Sequence, residues 1–391
     1  MMACVRKLGD GAFRVDWRDR AGNRYRKTFE LKKEAENFLA DIKVQMKSGT
    51  YVAPKQVPTL REVGEQWYAN KQGQKLRPSS LSAYRAMLDL HILKADFADQ
   101  RLDRIGVADI VGFRNQVAAK RTRRDRNRTF SAKMVNFILR DLESVFTYAV
   151  KSRVAAWNPV TCVDRLKQGS EEHRQDGTAP RADKAVTEGE VLSPAECRRL
   201  IDAAPEGLAK IFLLVATMTG ARHSELLALK WSDIDHDAGT IHIRRSLSWA
   251  RIPGEPYRPR FFDTKTGRSG NRVLPCPAEL RLALKKWRLQ CPKGELDLLF
   301  PTPDGGLRHR SHTFRQILHP AAKAAGITRP FHVHTLRHSF CSALLAQGTP
   351  PTEVQRYSGH KQLSMLLDVY SHFIPSEQTG ALDRLATRVF G

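Results

Sequence analysis

Thr219-Gly220-Ala221-Arg222-His223-Ser224-Glu225-Leu226, continuing through Leu229, Trp231, Asp233, Ile234 and Asp235, is the stretch on which the reading of this chain turns. Gly220 lets the backbone come close to a ligand, and Arg222 offers a planar, permanently charged fork for an anion. Glu225 lies one helical turn further on, where it can orient that guanidinium. Alone, an Arg and a Glu at this spacing usually form a surface ion pair of little consequence.

Further patches give the stretch its meaning. His334-Thr335-Leu336-Arg337-His338 leads into an apolar helix with Phe340, Leu344 and Leu345. On a helix His334 and Arg337 project to one side, pairing a proton-transfer group with a phosphate fork. In isolation the same residues could be a capped, partly buried helix start. Gly359-His360 and Val369-Tyr370-Ser371-His372 follow. A phenol titrates near pH ~10, so Tyr370 needs Arg and His neighbours to act as a nucleophile at neutral pH. Tyr25, Tyr51, Tyr68, Tyr84, Tyr148, Tyr257 and Tyr357 have no comparable set of partners in the sequence. Together these residue types suit a pentacovalent phosphate attacked by an oxygen nucleophile, because its nonbridging oxygens gather charge that fixed cationic donors stabilise.

The strings TGARHSELLALKWSDID, HTLRHSF, SGH and VYSH, in this order and spread over Glu190 to Gly391, resemble the catalytic domain of tyrosine recombinases of the phage integrase family. The resemblance implies that Arg222 is the first catalytic arginine and Glu225 the acidic residue that supports it. It makes His334 and Arg337 the histidine and second arginine, His360 the fourth-position group, and Tyr370 the nucleophile. Lys265, in Thr264-Lys265-Thr266-Gly267-Arg268, resembles the hairpin lysine that protonates the leaving 5′ oxygen, with Arg268 and Arg272 as nearby cations. Tyr357 and Ser358 stand before Gly359, where the family usually has aliphatic residues.

What the resemblance implies is a site-specific recombinase. It would cleave and rejoin double-stranded attachment-site DNA through a 3′-phosphotyrosyl link, act as a homo-tetramer on synapsed DNA, and integrate or excise a mobile element. An accessory DNA-bending or excision protein is a compatible partner. Neither cofactor nor metal is required, since the exchange conserves bond energy, and no phosphate-binding loop or metal-ligand spacing is present. Two other readings are a type IB topoisomerase-like relaxing enzyme and a catalytically silent DNA-binding regulator. The regulator's mark would be loss of Arg222, Arg337 or Tyr370, all of which are present.

Composition points the same way. A formal charge of +24 over 391 residues favours a polyanionic partner over a membrane or a small acid. Cys4, Cys162, Cys197, Cys276, Cys291 and Cys341 are scattered without CxxC or another metal-ligand spacing, as expected of reduced, structural thiols. The first twenty residues carry charges and no long apolar run, and Ile211 to Met218 is too short to span a bilayer. The expectation is a cytoplasmic, nucleoid-associated protein with no membrane partner.

The chain reads as multidomain, mainly α with small β-sheets. Residues 1–56 alternate Phe13, Val15 and Trp17, turn near Gly22, and continue into a helix from Lys32 to Lys47. They are read as an α+β arm-type DNA-binding domain, with Arg14, Arg24 and Arg26 as candidate contacts. Residues 57–163 are read as a helical, SAM-like core-binding domain, opened by a Thr59/Glu62 capping box. Its further helices are expected over Ser80–Ile92, Ala108–Lys120 and Ser131–Val150. Arg121, Arg123 and Arg124, in the basic loop before the last helix, are further candidate DNA contacts. A linker occupies 164–189, and a mixed α/β catalytic domain fills 190–391. The latter starts at the Ser193-Pro194-Glu196 cap and carries a small antiparallel sheet across Thr240 to Leu274.

Overall fold

The computed structural model describes residues 4–9, 11–19, 22–48, 51, 57–74, 76–122, 128–167, 186, 188–250, 256, 258–264, 270–329, 331–375 and 381–390. The chain divides into two compact units, residues 1–178 and 179–391.

In the first unit, β1 (Cys4–Lys7), β2 (Phe13–Arg18) and β3 (Arg24–Phe29) form an antiparallel sheet in that order. Period-two alternation places Val15 and Trp17 under α1 (Lys32–Ser48), where Ala35, Ile42 and Met46 complete a small core. The cross-strand pairs Arg6↔Arg14, Arg18↔Arg24 and Asp16↔Arg26 therefore line the opposite face, a basic surface with one acid in it.

A separate helical core follows, built from α2 (Leu60–Gly73), α3 (Pro78–Leu90), α4 (Val107–Ala119) and α5 (Ala132–Lys151). The capping box closes as the sequence indicates: Glu62 N–H donates to Thr59 Oγ1 at 3.2 Å, and Thr59 N–H to Glu62 Oε2 at 2.8 Å. α3 begins two residues before the expected Ser80, because Pro78 occupies the first turn, where a missing N–H costs nothing. Ile138, Leu142, Val145 and Ala149 of α5 are buried along one stripe, with Met134 half-buried at its edge. Trp67 of α2 fills the centre and donates its indole N–H to Ser144 Oγ at 3.1 Å.

The second unit starts with α6 (Pro194–Asp202), α7 (Leu208–Thr219) and the single turn α8 (His223–Leu226). β4 (Ile234–Asp235), β5 (Thr240–Ile243), β6 (Arg245–Ala250), β7 (Arg258–Asp263) and β8 (Arg272–Pro275) follow. These strands make two sheets rather than the one expected, β4-β5-β8 and β6-β7. The chain breaks pairing at Arg244, where Arg244 and Arg245 both turn to the buried Asp233 carboxylate, at 2.7 and 2.5 Å. Then come α9 (Ala278–Gln290), α10 (Arg310–Thr313), α11 (His319–Ala324), α12 (Val333–Ala346), α13 (Pro351–Ser358), α14 (Leu363–Tyr370) and α15 (Ala381–Phe390). A π-helical turn over Phe314–Leu318 joins α10 to α11. Pro320 explains it, because proline cannot donate to the carbonyl four residues back and its ring crowds that carbonyl, so the turn widens. Among the described residues no helix is long and apolar enough to cross a membrane.

α7 is the centre of the larger core, with Ile211, Phe212, Leu213 and Val215 all buried. It stops at Gly220, whose φ of 55° suits glycine and brings its backbone against α12: a Cβ built there would lie 2.3 Å from Phe340 Cδ1. Gly220→Ala is expected to destabilise the second unit by roughly 1–3 kcal/mol from overpacking alone, the left-handed backbone adding to it. Urea unfolding of the full chain measures the loss; an unchanged midpoint would contradict this account.

Candidate active site

The turn after α7 carries Arg222 as the residue that caps α8. Its backbone N–H donates to Glu225 Oε2 at 3.0 Å, its Nη1 to Glu225 Oε1 at 2.8 Å, and its Nη2 to the Gly359 carbonyl at 3.2 Å. Glu225 is 1% exposed and also accepts from Arg272 Nη2 at 2.9 Å. Arg272, at the start of β8, spends its other donors on the Tyr357 and Gly270 carbonyls at 2.6 and 3.1 Å. Burial works against the Glu225 charge, but the Arg272 and Arg222 guanidiniums overcome it and hold the carboxyl below its ordinary range. One carboxylate thus ties the Arg222 turn, β8 and the end of α13 together. In the sequence Arg272 stands out only as a cation near Lys265. Its signal was an arginine in the short apolar strand Arg272-Val273-Leu274, a costly place for an unpartnered charge.

Arg337 of α12 is fully buried at 1% exposure and donates from Nη1 to the Gly220 carbonyl at 2.8 Å. Among the described residues it has no acidic ion-pair partner. Burial, with Arg222 adding its charge, lowers its pKa to about 10, so it is a cation held at high energy. His360, just beyond α13, points Nε2 at Arg337 Nη2 across 3.4 Å, while its Nδ1 meets Ser358 Oγ at 2.6 Å. The hydroxyl of Ser358, one of the two residues that depart from the usual pattern, therefore sets the ring's orientation. Burial and then the Arg337, Arg222 and Arg272 charges drop His360 to about 3.

His334 and Arg337 share an element, but they do not present themselves alike. Arg337 is internal, whereas His334 is exposed at the rim. Packing round its ring and then the charges of His338, Arg337, Arg222 and Arg310 bring His334 down to about 4. Given that exposure, the crowding of cations is the part that matters, and a bound anion would relieve it.

Tyr370 ends α14 and is 1% exposed, its ring packed among Val186, Val191, Cys341, Leu345, Val354 and Leu366. Burial raises its pKa, with the Cys341 thiol adding and Arg337 opposing, so the phenol is protonated here rather than poised as a phenolate. Its Oη lies 2.5 Å from Nδ1 of His338, a residue that sequence reasoning quoted without giving it a role. The available signal was spacing: His338 stands four residues after His334, on the same side of a helix. The His360 and Tyr370 ring centroids are 6.2 Å apart. Arg222, Glu225, His334, Arg337, His360 and Tyr370 thus gather at one end of α12.

Lys265, Arg123 and Arg124 lie outside the described residues, as does Arg268. Arg121 is exposed in a bridge to Thr129. Arg14, Arg24 and Arg26 converge on one acceptor: each lies 3.0–3.2 Å from the Asp16 carboxylate.

Glu225→Gln is expected to cost roughly 3–5 kcal/mol at neutral pH, since it strands a buried guanidinium. The carboxyl's pKa is depressed below 4.5, so its contribution is complete above that pH and disappears as pH falls through the lower folded-state value. Urea unfolding of native and variant chains should differ at pH 7 and converge in acid. A gap that widens on acidification would refute the assignment.

Residues 190–377 match the phage integrase family, and residues 59–118 match the N-terminal SAM-like domain of phage integrases. The chain is 25% identical over 389 residues to a XerC-like tyrosine recombinase of Caldanaerobacter subterraneus subsp. tengcongensis, covering 94% of this chain and 93% of that one. In fold it is similar to the Tn1549 transposon integrase in complex with a circular intermediate DNA, with a TM-score of 0.60 at 16% identity, over 85% of this chain and 99% of that one. It is similar also to a lambda integrase tetramer bound to a Holliday junction, with a TM-score of 0.55 at 16% identity, over 96% and 95%. The two matched segments bracket the helical core of the first unit and the cation-rich end of α12 in the second, and on them the chain belongs to the phage integrase family of tyrosine recombinases.

Proposed function

We propose that the chain is a site-specific DNA recombinase that integrates or excises a mobile element, with Tyr370 as its nucleophile. The observation that carries this reading is the surplus of buried positive charge beside a phenol. Arg222 and Arg272 share the one carboxylate of Glu225, and Arg337 lies buried nearby with no acidic ion-pair partner among the described residues, which leaves two positive charges for an anion to neutralise.

Arg222 and Arg337 would clamp the nonbridging oxygens of the scissile phosphate, and Glu225 would hold Arg222 in place. His360 and His334 would place protons and share the charge. Both are neutral while the cations are unopposed, and both become better bases once the phosphate screens those cations. Lys265 would protonate the departing 5′ oxygen. Attack by Tyr370 gives a 3′-phosphotyrosyl link and a free 5′ hydroxyl, and reversal with a new 5′ hydroxyl rejoins the strand.

Residues 190–391 are assigned this chemistry, 57–163 binding of the core site, 1–56 binding of an arm-type site, and 164–189 the linker between modules. Arg14, Arg24 and Arg26 of the sheet face, with Arg121, Arg123 and Arg124 of the helical domain, would contact DNA phosphates. Assembly would be a homo-tetramer on two synapsed duplexes, a DNA-bending or excision protein could assist, and the setting would be the cytoplasmic nucleoid. The tetrameric lambda integrase of similar fold supports that assembly.

A duplex selected by the native chain from a random-core pool, then nicked within the bound core, traps cleavage. A covalent protein–DNA adduct is expected from the native chain and none from Tyr370→Phe. Arg337→Ala should slow adduct formation by about 100-fold or more. An adduct that survives in Tyr370→Phe would remove the nucleophile assignment. On a duplex selected with residues 1–178 from a second random pool, and so carrying the arm-type site, Arg24→Ala in the full chain should weaken binding and reduce the slope of log affinity against log salt by about one; an unchanged slope would take the sheet face out of the interface.

A further inference from the structure

We infer that His338 is the proton acceptor for Tyr370, its Nδ1 taking the phenolic proton as Oη attacks phosphorus and returning it when the phosphotyrosyl bond is broken. This rests on the reading of Tyr370 as nucleophile and adds the group that activates it.

The geometry is direct. Nδ1 of His338 and Oη of Tyr370 are 2.5 Å apart, with ring centroids at 5.6 Å, and the two residues come from different helices, α12 and α14. Tyr370 is 1% exposed, so its proton has to leave through a protein group rather than into bulk water. The neighbours can be compared one by one. Cys341 touches the phenol, but burial pushes its thiol pKa up, and a protonated thiol is no base. His360 has Nδ1 engaged by Ser358 and Nε2 facing the Arg337 guanidinium. His334 meets His338 edge-on at 4.8 Å and, among the described residues, makes no hydrogen bond to Tyr370. His338 is left as the base within reach.

Its surroundings suit that role. Burial and the Arg337 charge lower its pKa while the Glu190 carboxylate pulls the other way, so the ring is neutral and free to accept. A bound phosphate screens Arg337 and strengthens the base, so the phenol is activated only with substrate in place. In the step, Oη–H breaks, Oη–P forms and P–O5′ breaks. One proton ends on Nδ1, and the 5′ oxygen receives a separate one, assigned above to Lys265. Rejoining runs these transfers backwards.

Single-turnover cleavage of the nicked duplex tests the proposal with His338→Asn, which keeps an acceptor atom near Nδ1 but has no basicity, and His338→Ala. Both are expected to form adduct about 100-fold more slowly or worse, with DNA affinity unchanged and the chain still folded at the assay temperature by circular dichroism. A duplex with a 5′-bridging sulfur, whose leaving group needs no proton, should restore Lys265→Ala but neither His338 variant. Native-rate cleavage by His338→Asn would reduce His338 to a positioning residue, and rescue of His338→Ala by sulfur would move it to the leaving-group side; either overturns the proposal and leaves Tyr370 as nucleophile. A native chain that binds the duplex without forming an adduct removes the nucleophile reading and this one with it.

Discussion

A guanidinium buried without a counter-charge is the constraint on which the rest of this structure depends. Arg337 sits inside α12, where removal from water costs roughly several kcal/mol for an ion in a protein interior, and the groups it meets, the Gly220 carbonyl at 2.8 Å and the His360 ring at 3.4 Å, bring no negative charge. To keep it there, the surrounding elements have to be fixed. α7 must end in a left-handed glycine so that its carbonyl reaches Arg337, Phe340 must close over that glycine, and Glu225 must absorb the charge of Arg222 and Arg272 nearby. The site carries a surplus of positive charge, and burial first, then that surplus, depresses the basicity of its three histidines.

The proposed nucleophile is kept under opposite physical terms. Tyr370 is held by apolar contacts on nearly every side, which suppresses ionisation, and the backbone of Val186 seals it further by donating to the Val369 carbonyl at 3.1 Å. The apolar cage that opposes phenolate outweighs the Arg337 charge that favours it, and the phenol's pKa is raised.

At the other end of the chain the same economy appears on a surface. Asp16 lies between Arg14, Arg24 and Arg26 on one face of a three-stranded sheet. Five arginines on such a small face repel one another, and the Asp16 carboxylate offsets part of that repulsion by pairing with three of them.

Much of this was legible in the one-dimensional chain because it is local. Helical spacing of apolar residues marked α5, capping residues marked the starts of α2 and α6, and the ordered strings around Arg222, Arg337, His360 and Tyr370 carried the family and the candidate roles through residue type and spacing. The parts that escaped are those set by contacts between distant segments. Arg272 became the second clamp on Glu225 across 47 positions, and His338 met Tyr370 across 32, because packing of α13 against β8 and of α12 against α13 and α14 decides which side chains face inward. The strands expected as one sheet separated for a similar reason, as Asp233 captured two consecutive arginines at the junction. Sequence determines which groups are present and which helices and strands can form; burial, and with it every shifted proton affinity in the site, exists only once those elements exclude water together.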